Sequence, residues 1–340
     1  MKRTGFSYLQ KDTRQKRLTH LSKPLFVFYP NFAENNSERM QEGKNRVLFI
    51  INPVSGVNQS HKSDFVSLAR EYIDSTRFEI SFSITESSEH AYQLSKEASQ
   101  KGVEIIVAVG GDGTANRVVK GLFGSNSLFG LIPVGSGNGL ARFLNIPLDI
   151  PKSLQIINGL NVRQIDTISI NDEIFVSIAG VGFDALVAKR FAKSGRRGFF
   201  TYFHIALHAY PGYRPRKYRM VIDGNPFKRR ALFISFANSN QFGYNTIIAP
   251  AATIDDGYMD ISIVKKAPVI EAPYILGLLW RNKIENSAYI EMLRAKEVFI
   301  PRNKNKVVNV DGEPMKVGKD LNIKVNPLSL NIIVPTDQDR

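Results

Sequence analysis

Cysteine is absent from all 340 residues. Its absence excludes a disulfide scaffold, a thiolate zinc site and a cysteine nucleophile together, and it suits a reducing compartment such as the cytoplasm. Long apolar runs are missing too. A membrane-spanning helix needs about 20 mostly apolar residues, whereas the best uncharged run covers only 274–280. No apolar core follows the first basic residues, since Lys2 and Arg3 lead into Lys11, Arg14, Lys16 and Arg17, so no secretory leader is expected. Acidic charge is scarce: 45 Lys and Arg against 31 Asp and Glu leave a formal net charge of +14. Such an excess implies an anionic partner, whether nucleic acid, a phosphorylated small molecule or a lipid surface.

What is present is a globular composition, with 43% hydrophobic residues, and a length that suits two domains. Residues 1–44 stand apart. Up to Lys23 they hold seven basic residues against Asp12 alone, which places +6 of the +14 there. Without a sustained apolar period the segment reads as a disordered arm or as a basic arm for a membrane surface. Met40, just before the first clear strand, is an alternative start. Over 45–163 buried-type strands at 47–51, 78–84, 103–109 and 128–133 alternate with helices at 62–74, 90–101 and 116–123, the signature of an open, mostly parallel α/β sheet. Over 164–336 nine short strands are expected, interrupted by helices at 184–210 and 269–281. That pattern predicts an antiparallel β-sandwich or barrel, with a ligand cleft between the two domains.

Two glycine loops carry the chemistry. Gly110-Gly111-Asp112-Gly113-Thr114 follows a buried strand and opens a helix, where bare backbone N–H groups and a helix N-terminus suit a phosphate. Asp112 has little packing to do there, and is read as holding a metal or ordering the loop. The plain alternative is a tight strand-to-helix turn. Gly135-Ser136-Gly137-Asn138-Gly139 follows the next strand, with Ser136 able to donate to a phosphate and Asn138 able to bridge the loops. Two such loops at neighbouring carboxyl ends form one crevice, where open α/β sheets bind ligands.

With Asn52-Pro53-Val54-Ser55-Gly56, the 249–257 stretch and Asp311-Gly312-Glu313, these segments resemble the diacylglycerol kinase catalytic-domain family, which includes bacterial lipid kinases and the sphingosine and ceramide kinases. The five motifs stand in the family's order across 46–335. The resemblance implies ATP-dependent phosphorylation of a lipid hydroxyl, diacylglycerol or a related lipid, with a phosphofructokinase- and NAD kinase-like α/β domain joined to a β-sandwich. It implies a nucleotide held by Asn52, Pro53, Ser55, Gly56, Thr85, Gly110, Gly111, Asp112, Gly113, Thr114, Asn116, Gly135, Ser136, Gly137 and Asn138. Asp311 and Glu313 then supply the base beside Asp112, with Mg²⁺ neutralising developing charge; two carboxylates two apart on an extended segment share one side. An Asp-Gly hairpin turn is the alternative for that segment. The resemblance also implies a structural Mg²⁺ at Thr253, Asp256 and Tyr258, against a simple β-turn; Asp184, which opens the 184–213 stretch, reads as a lipid headgroup contact or as a helix N-cap.

Two positions depart from the family pattern. Gly139 stands where many bacterial members carry an acid, and Arg117 stands where an acid is common, which leaves the lipid less defined than the reaction. The cluster of Lys189, Arg190, Lys193, Arg196 and Arg197 before the aromatic run 199–203 reads as membrane-facing, or as a solvated basic helix face. The expected partner is thus a lipid substrate at an anionic membrane surface, reached from the cytoplasm; a homodimer is compatible with the sequence. His61, His90, His204 and His208 lack acidic partners at ligand spacing. A soluble kinase of the NAD kinase type shares the first glycine loop, but its second-domain Thr-Pro-Thr-Gly-Ser type segment is missing. A nucleic-acid binder would use the charge but not Asp112, Asp311 and Glu313, and none of its usual motifs is present.

Overall fold

A computed structural model describes residues 43–55, 64–196, 198–241, 246–271, 274–275, 277–278 and 281–336. The basic arm, Met40, Gly56, His61 and Arg197 lie outside them. The α/β region is built from β1 (Asn45–Ile51), α1 (Phe65–Tyr72), β2 (Phe78–Ile84), α2 (Ser88–Gln100), β3 (Ile105–Gly110), α3 (Asp112–Leu122), β4 (Leu128–Pro133), α4 (Gly139–Phe143) and α5 (Ile150–Gly159). The strands β2-β1-β3-β4 pair in parallel in that order. Continuous apolar strands are buried on both faces, as a parallel sheet covered by helices requires. Phe49, Val107 and Val109 meet Phe65, Ala69, Leu154 and Ile157 of α1 and α5 on one face. Alternate residues Leu48, Ile50, Ile106 and Ala108 are equally buried and face the other way.

The chain continues through β5 (Val162–Ile170), β6 (Glu173–Phe175), β7 (Ile178–Gly182), α6 (Phe183–Lys193), α7 (Phe199–Ala209), β8 (Arg216–Ile222), β9 (Asn225–Ala231), β10 (Phe233–Ala237), β11 (Met259–Val264), β12 (Ile290–Ala295), β13 (Glu297–Ile300), β14 (Val308–Val310), β15 (Glu313–Met315) and β16 (Leu321–Ile333). A six-stranded antiparallel sheet, β12-β11-β10-β7-β14-β15, buries Ala179, Val181, Ile234, Phe236, Ile261 and Ile263 against Ile168, Val298, Ile300, Leu321 and Ile323 of the first sheet. This is the expected sandwich of α/β plus β, and sheet-on-sheet burial of this kind is its main stabilising term.

The two regions share one ten-stranded sheet, because β16 runs antiparallel beside β5 and β13 and ends parallel to β4 at Ile332 and Phe129. The two strands expected at 321–325 and 329–334 are this one strand, interrupted by a register shift between Asn326 and Leu330. Pro327 has no N–H to give the ladder. Leu328 turns to φ 46° and donates its N–H at 2.7 Å to the buried Asp166 carboxylate, which also accepts from Gly257 N at 2.7 Å. The helix expected at 184–210 is two helices, separated where Gly195 and Gly198 adopt φ 66° and 101°, a region open to glycine at no steric cost. Within the stretch expected as a helix at 269–281, the described residues show a short helical turn at Val269–Glu271 and helical residues at 274–275 and 277–278.

Candidate active site

The carboxyl ends of β1, β2, β3 and β4 bring the glycine loops together. Asn52 directly follows β1; its Nδ2 donates to Thr114 Oγ1 at 2.9 Å, and its Oδ1 accepts Val54 N at 3.0 Å, closing a turn that contains Pro53 and holds Ser55 part-exposed beside it. Thr85 ends β2 alongside, its N–H donating to Ile51 O at 2.9 Å. Gly111 lies against Gly135: a Cβ on Gly111 would sit 3.1 Å from Gly135 Cα, and one on Gly135 would overlap Gly111 Cα and stand 2.7 Å from Asn138 Oδ1. Only glycine at both positions allows this backbone-to-backbone approach.

Asp112 joins the loops. Its Oδ1 accepts the N–H of Leu140 at 3.3 Å in the first turn of α4, and burial raises its carboxyl above the usual range while the N–H groups of residues 138–140 pull the other way. Asn138, at φ 52°, spends its Nδ2 on Gly135 O at 2.8 Å and so closes its own loop. The bridging role expected of Asn138 belongs to Asp112, whose Oδ1 orders the second loop, while Asn138 closes its own loop. Gly113 and Thr114 lie in the first turn of α3, and Ser136 and Gly137 remain part-exposed at the crevice.

The third component comes from the second sheet. Asp311 and Gly312 take φ 45° and 87° between paired Val310 and Glu313, the two-residue hairpin geometry that an Asp-Gly pair favours. The segment is thus a tight turn and not the extended stretch expected, and its two acids part company. Asp311 is buried: Oδ1 accepts Ser177 N at 3.0 Å and Ile178 N at 2.9 Å, while Oδ2 accepts Val176 N at 3.0 Å and Asn116 Nδ2 at 2.9 Å. Burial pushes its carboxyl up to about 6 against the opposing pull of these four donors. Glu313 instead remains 35% exposed along its side chain. Its carboxylate lies over the start of α3, where a Cβ on Gly113 would come 2.5 Å from Glu313 Oε1.

Arg117, whose role no sequence signal defined, organises the wall of the site. Its guanidinium, 12% exposed, reaches Glu173 at 3.2 Å and Glu313 at 3.4 Å, and Lys120 meets the other oxygen of Glu173 at 2.9 Å. Asp184 is neither a headgroup contact nor a cap: it is 5% exposed, and its oxygens accept Asn309 Nδ2 at 2.9 Å and Tyr202 OH at 3.0 Å. Burial raises the carboxyl of Asp184 and, with the neighbouring carboxylate, holds the Tyr202 phenol well above its ordinary value. Tyr202 and Asn309 escaped the sequence reading because they are 18 and 125 residues from Asp184.

The expected Mg²⁺ loop is differently used. Asp256 Oδ1 accepts Tyr258 N at 3.0 Å and Oδ2 is bound by Arg294, while Thr253 Oγ1 turns to Ala251 O at 3.4 Å. A guanidinium stands where a cation would sit, so these residues do not fit a metal, and among the described residues no three His, Asp or Glu side chains converge on one.

Residues 46–170 match the diacylglycerol kinase catalytic domain, and residues 177–334 match the YegS C-terminal NAD kinase beta sandwich-like domain. The diacylglycerol kinase of Bacillus subtilis (strain 168) is 30% identical over 274 residues, covering 79% of this chain and 89% of that one. That of Staphylococcus aureus (strain bovine RF122 / ET3-1) is 28% identical, covering 79% and 86%. The crystal structure of a diacylglycerol kinase from Bacillus anthracis str. Sterne shares the fold with a TM-score of 0.67 at 23% identity, over 86% of this chain and 97% of that one. Glycine loops that meet backbone to backbone, an α/β sheet that ends in a sandwich and these matches lead to one assignment: the chain belongs to the diacylglycerol kinase catalytic-domain family, phosphotransferases that act on an alcohol group.

Proposed function

We propose that the chain transfers the γ-phosphoryl group of ATP to the free hydroxyl of diacylglycerol, with Glu313 as the base. The observation that carries this reading is the division of labour in the hairpin. Asp311 has both oxygens filled by N–H donors, whereas Glu313 lies accessible beside the first turn of α3. A general base must be within hydrogen-bond reach of the proton it takes, and a carboxylate with four donors has no lone pair directed outward.

In this reading Asn52, Thr85, Gly110, Gly111, Gly113, Thr114, Ser136 and Gly137 enclose the nucleotide, and its phosphates meet the N-terminus of α3. Mg²⁺ brought in with the nucleotide would supply neutralisation of charge on the transferring phosphate. Glu313 takes the proton of the lipid hydroxyl as its oxygen attacks the γ-phosphorus; the bond to the β,γ-bridging oxygen breaks and ADP leaves. Asp311 holds the hairpin in register through Val176, Ser177 and Ile178. Since the acceptor is a bilayer lipid, the enzyme works as a peripheral membrane protein.

A panel of diacylglycerol, monoacylglycerol, sphingoid base, phosphatidylglycerol and NAD with labelled ATP and Mg²⁺ tests this. Label is expected on diacylglycerol, and Glu313→Gln is expected to lower kcat at least 10²-fold with an unchanged melting curve. Transfer to NAD alone, or wild-type rates in Glu313→Gln, would sink the assignment.

A further inference from the structure

The paired helices α6 and α7 and the segment at 266–271 carry a second feature that the reaction does not use. The inner face of α7 is committed to the fold: Tyr202, Ile205, Ala206 and Ala209 pack with Phe183, Leu186 and Val187 of α6. Its outer face carries an apolar stripe beside the exposed His204 and His208. Phe200 is 85%, Phe203 38% and Leu207 57% exposed, and the spacing i, i+3, i+7 sets them in one stripe.

A second apolar group adjoins the end of that stripe. Tyr210, just past α7, donates its hydroxyl to Ala267 O at 2.6 Å, and Lys266 Nζ donates to Pro211 O and Tyr213 O, each at 2.9 Å. These bonds fix the segment that continues into Val269, 65% exposed, and Ile270, 87% exposed. Scattered single apolar residues on a surface need no explanation, but contiguous ones mark an interaction site.

Charge selects the partner. Between Phe183 and Arg219 there are nine Lys and Arg and one acid, Asp184, which is buried. Lys189, Arg190, Lys193 and Arg196 are exposed on and after α6, and among the described residues none of the four forms an ion pair. An apolar stripe on one helix with exposed cations on and after the helix packed against it has the composition of an element that lies in a bilayer interface, its side chains in the acyl boundary and its cations among anionic headgroups. We infer that Phe200, Phe203, Leu207, Val269 and Ile270 insert into an anionic bilayer, and that Lys189, Arg190, Lys193 and Arg196 hold its headgroups. The inference rests on the proposed reading that the acceptor is a bilayer lipid. It also gives α6 a second task, since the same helix supplies Asp184 to Asn309 beside the Glu313 hairpin.

Sedimentation of the full chain with vesicles of phosphatidylglycerol and phosphatidylcholine, without nucleotide, tests this. Phe200→Ser combined with Leu207→Ser and Ile270→Ser is expected to weaken partition at least tenfold. Lys189→Glu with Lys193→Glu and Arg196→Glu is expected to weaken it about a hundredfold, at roughly 1 kcal/mol per lost cation. Phe123→Ser with Leu148→Ser, exposed apolar positions elsewhere, should leave partition unchanged. Phosphorylation of a monomeric short-chain diacylglycerol should be unaffected in all three. Wild-type partition in the first two variants overturns the surface, as does a loss of self-association by light scattering while partition persists. If instead partition follows the expected order and no lipid is phosphorylated, the surface stands and the kinase reading falls.

Discussion

The contact between the glycine loops gives a sharp test of the nucleotide site. In Gly135→Ala the new methyl would overlap Gly111 Cα and stand 3.1 Å from Gly111 N. Carbon atoms prefer 3.5–4.0 Å, so the loops must separate by about 1 Å, and the neighbours are backbone with no rotamer to yield. Overpacking of this kind costs about 1–3 kcal/mol, which leaves the protein folded. Function should suffer more than stability, because a misplacement of about 1 Å at a reacting centre costs on the order of 10²-fold. Gly135 has no positive φ, so backbone strain does not contribute. Gly159→Ala serves as control: nothing lies within 4 Å of its added Cβ. Titration with a non-hydrolysable ATP analogue, followed by calorimetry, should show binding weakened at least tenfold in Gly135→Ala and unchanged in Gly159→Ala, with melting temperatures measured alongside. Tight analogue binding in Gly135→Ala would mean that the loops do not act as one cradle.

Four further outcomes follow from the buried polar contacts. Asp112→Ala removes the acceptor for Leu140 N, a charge-assisted bond of about 1.5–3 kcal/mol; transfer should vanish while circular dichroism shows a folded chain. Asp311 carries a folded-state value of about 6 against an ordinary 3.8, so the folded form binds its proton more tightly and this contribution is lost as pH rises through 6. Urea unfolding should therefore show the wild type gaining about 1 kcal/mol over Asp311→Asn between pH 7 and pH 5, and a constant gap would refute it. Asp311→Ala, which the sequence alone would leave folded, orphans four donors at about 1–3 kcal/mol each and is expected to express poorly. Arg117→Met leaves Glu313 without its guanidinium; kcat should fall about tenfold or more with little change in nucleotide affinity, and Arg117→Lys should not restore it, because one ammonium cannot span Glu173 and Glu313.

The parallel strands and both glycine loops were legible because each is local: a continuous apolar run, then glycines whose spacing states its own geometry. Elements with one-sided or mixed burial were not. β9 is Asn-Pro-Phe-Lys-Arg-Arg-Ala, an edge strand exposed along nearly its whole length, which offers no alternation to read. α5 was missed although Asp149 caps it by accepting Lys152 N at 3.0 Å and a proline stands in its first turn, a start signal of ordinary type. The Asp311-Gly312 pair suits both a turn and an extended stretch in sequence, because the donors that fix the hairpin, at Val176, Ser177 and Ile178, lie 133 to 135 residues away. Arg117 was visible only as a departure, and its partners lie 56 and 196 residues away.

The same long-range contacts decide how the site is held. A cleft between separate domains would close by hinge motion, with donor and acceptor sides meeting only in the closed state. Here α3 carries both sides. Its first turn follows the first glycine loop, and in the next turn Asn116 binds Asp311 while Arg117 binds Glu313. The distance between phosphate and base is therefore set within about two turns of one helix, roughly 10 Å. β5 and β16 reinforce this by joining the two regions in a single sheet, so that rotating one region against the other would break a ladder that runs from Val162 to Ile170. α6 sits outside both sheets, yet it is tied to the same frame, because its Asp184 accepts Asn309 Nδ2 at 2.9 Å beside the Glu313 hairpin.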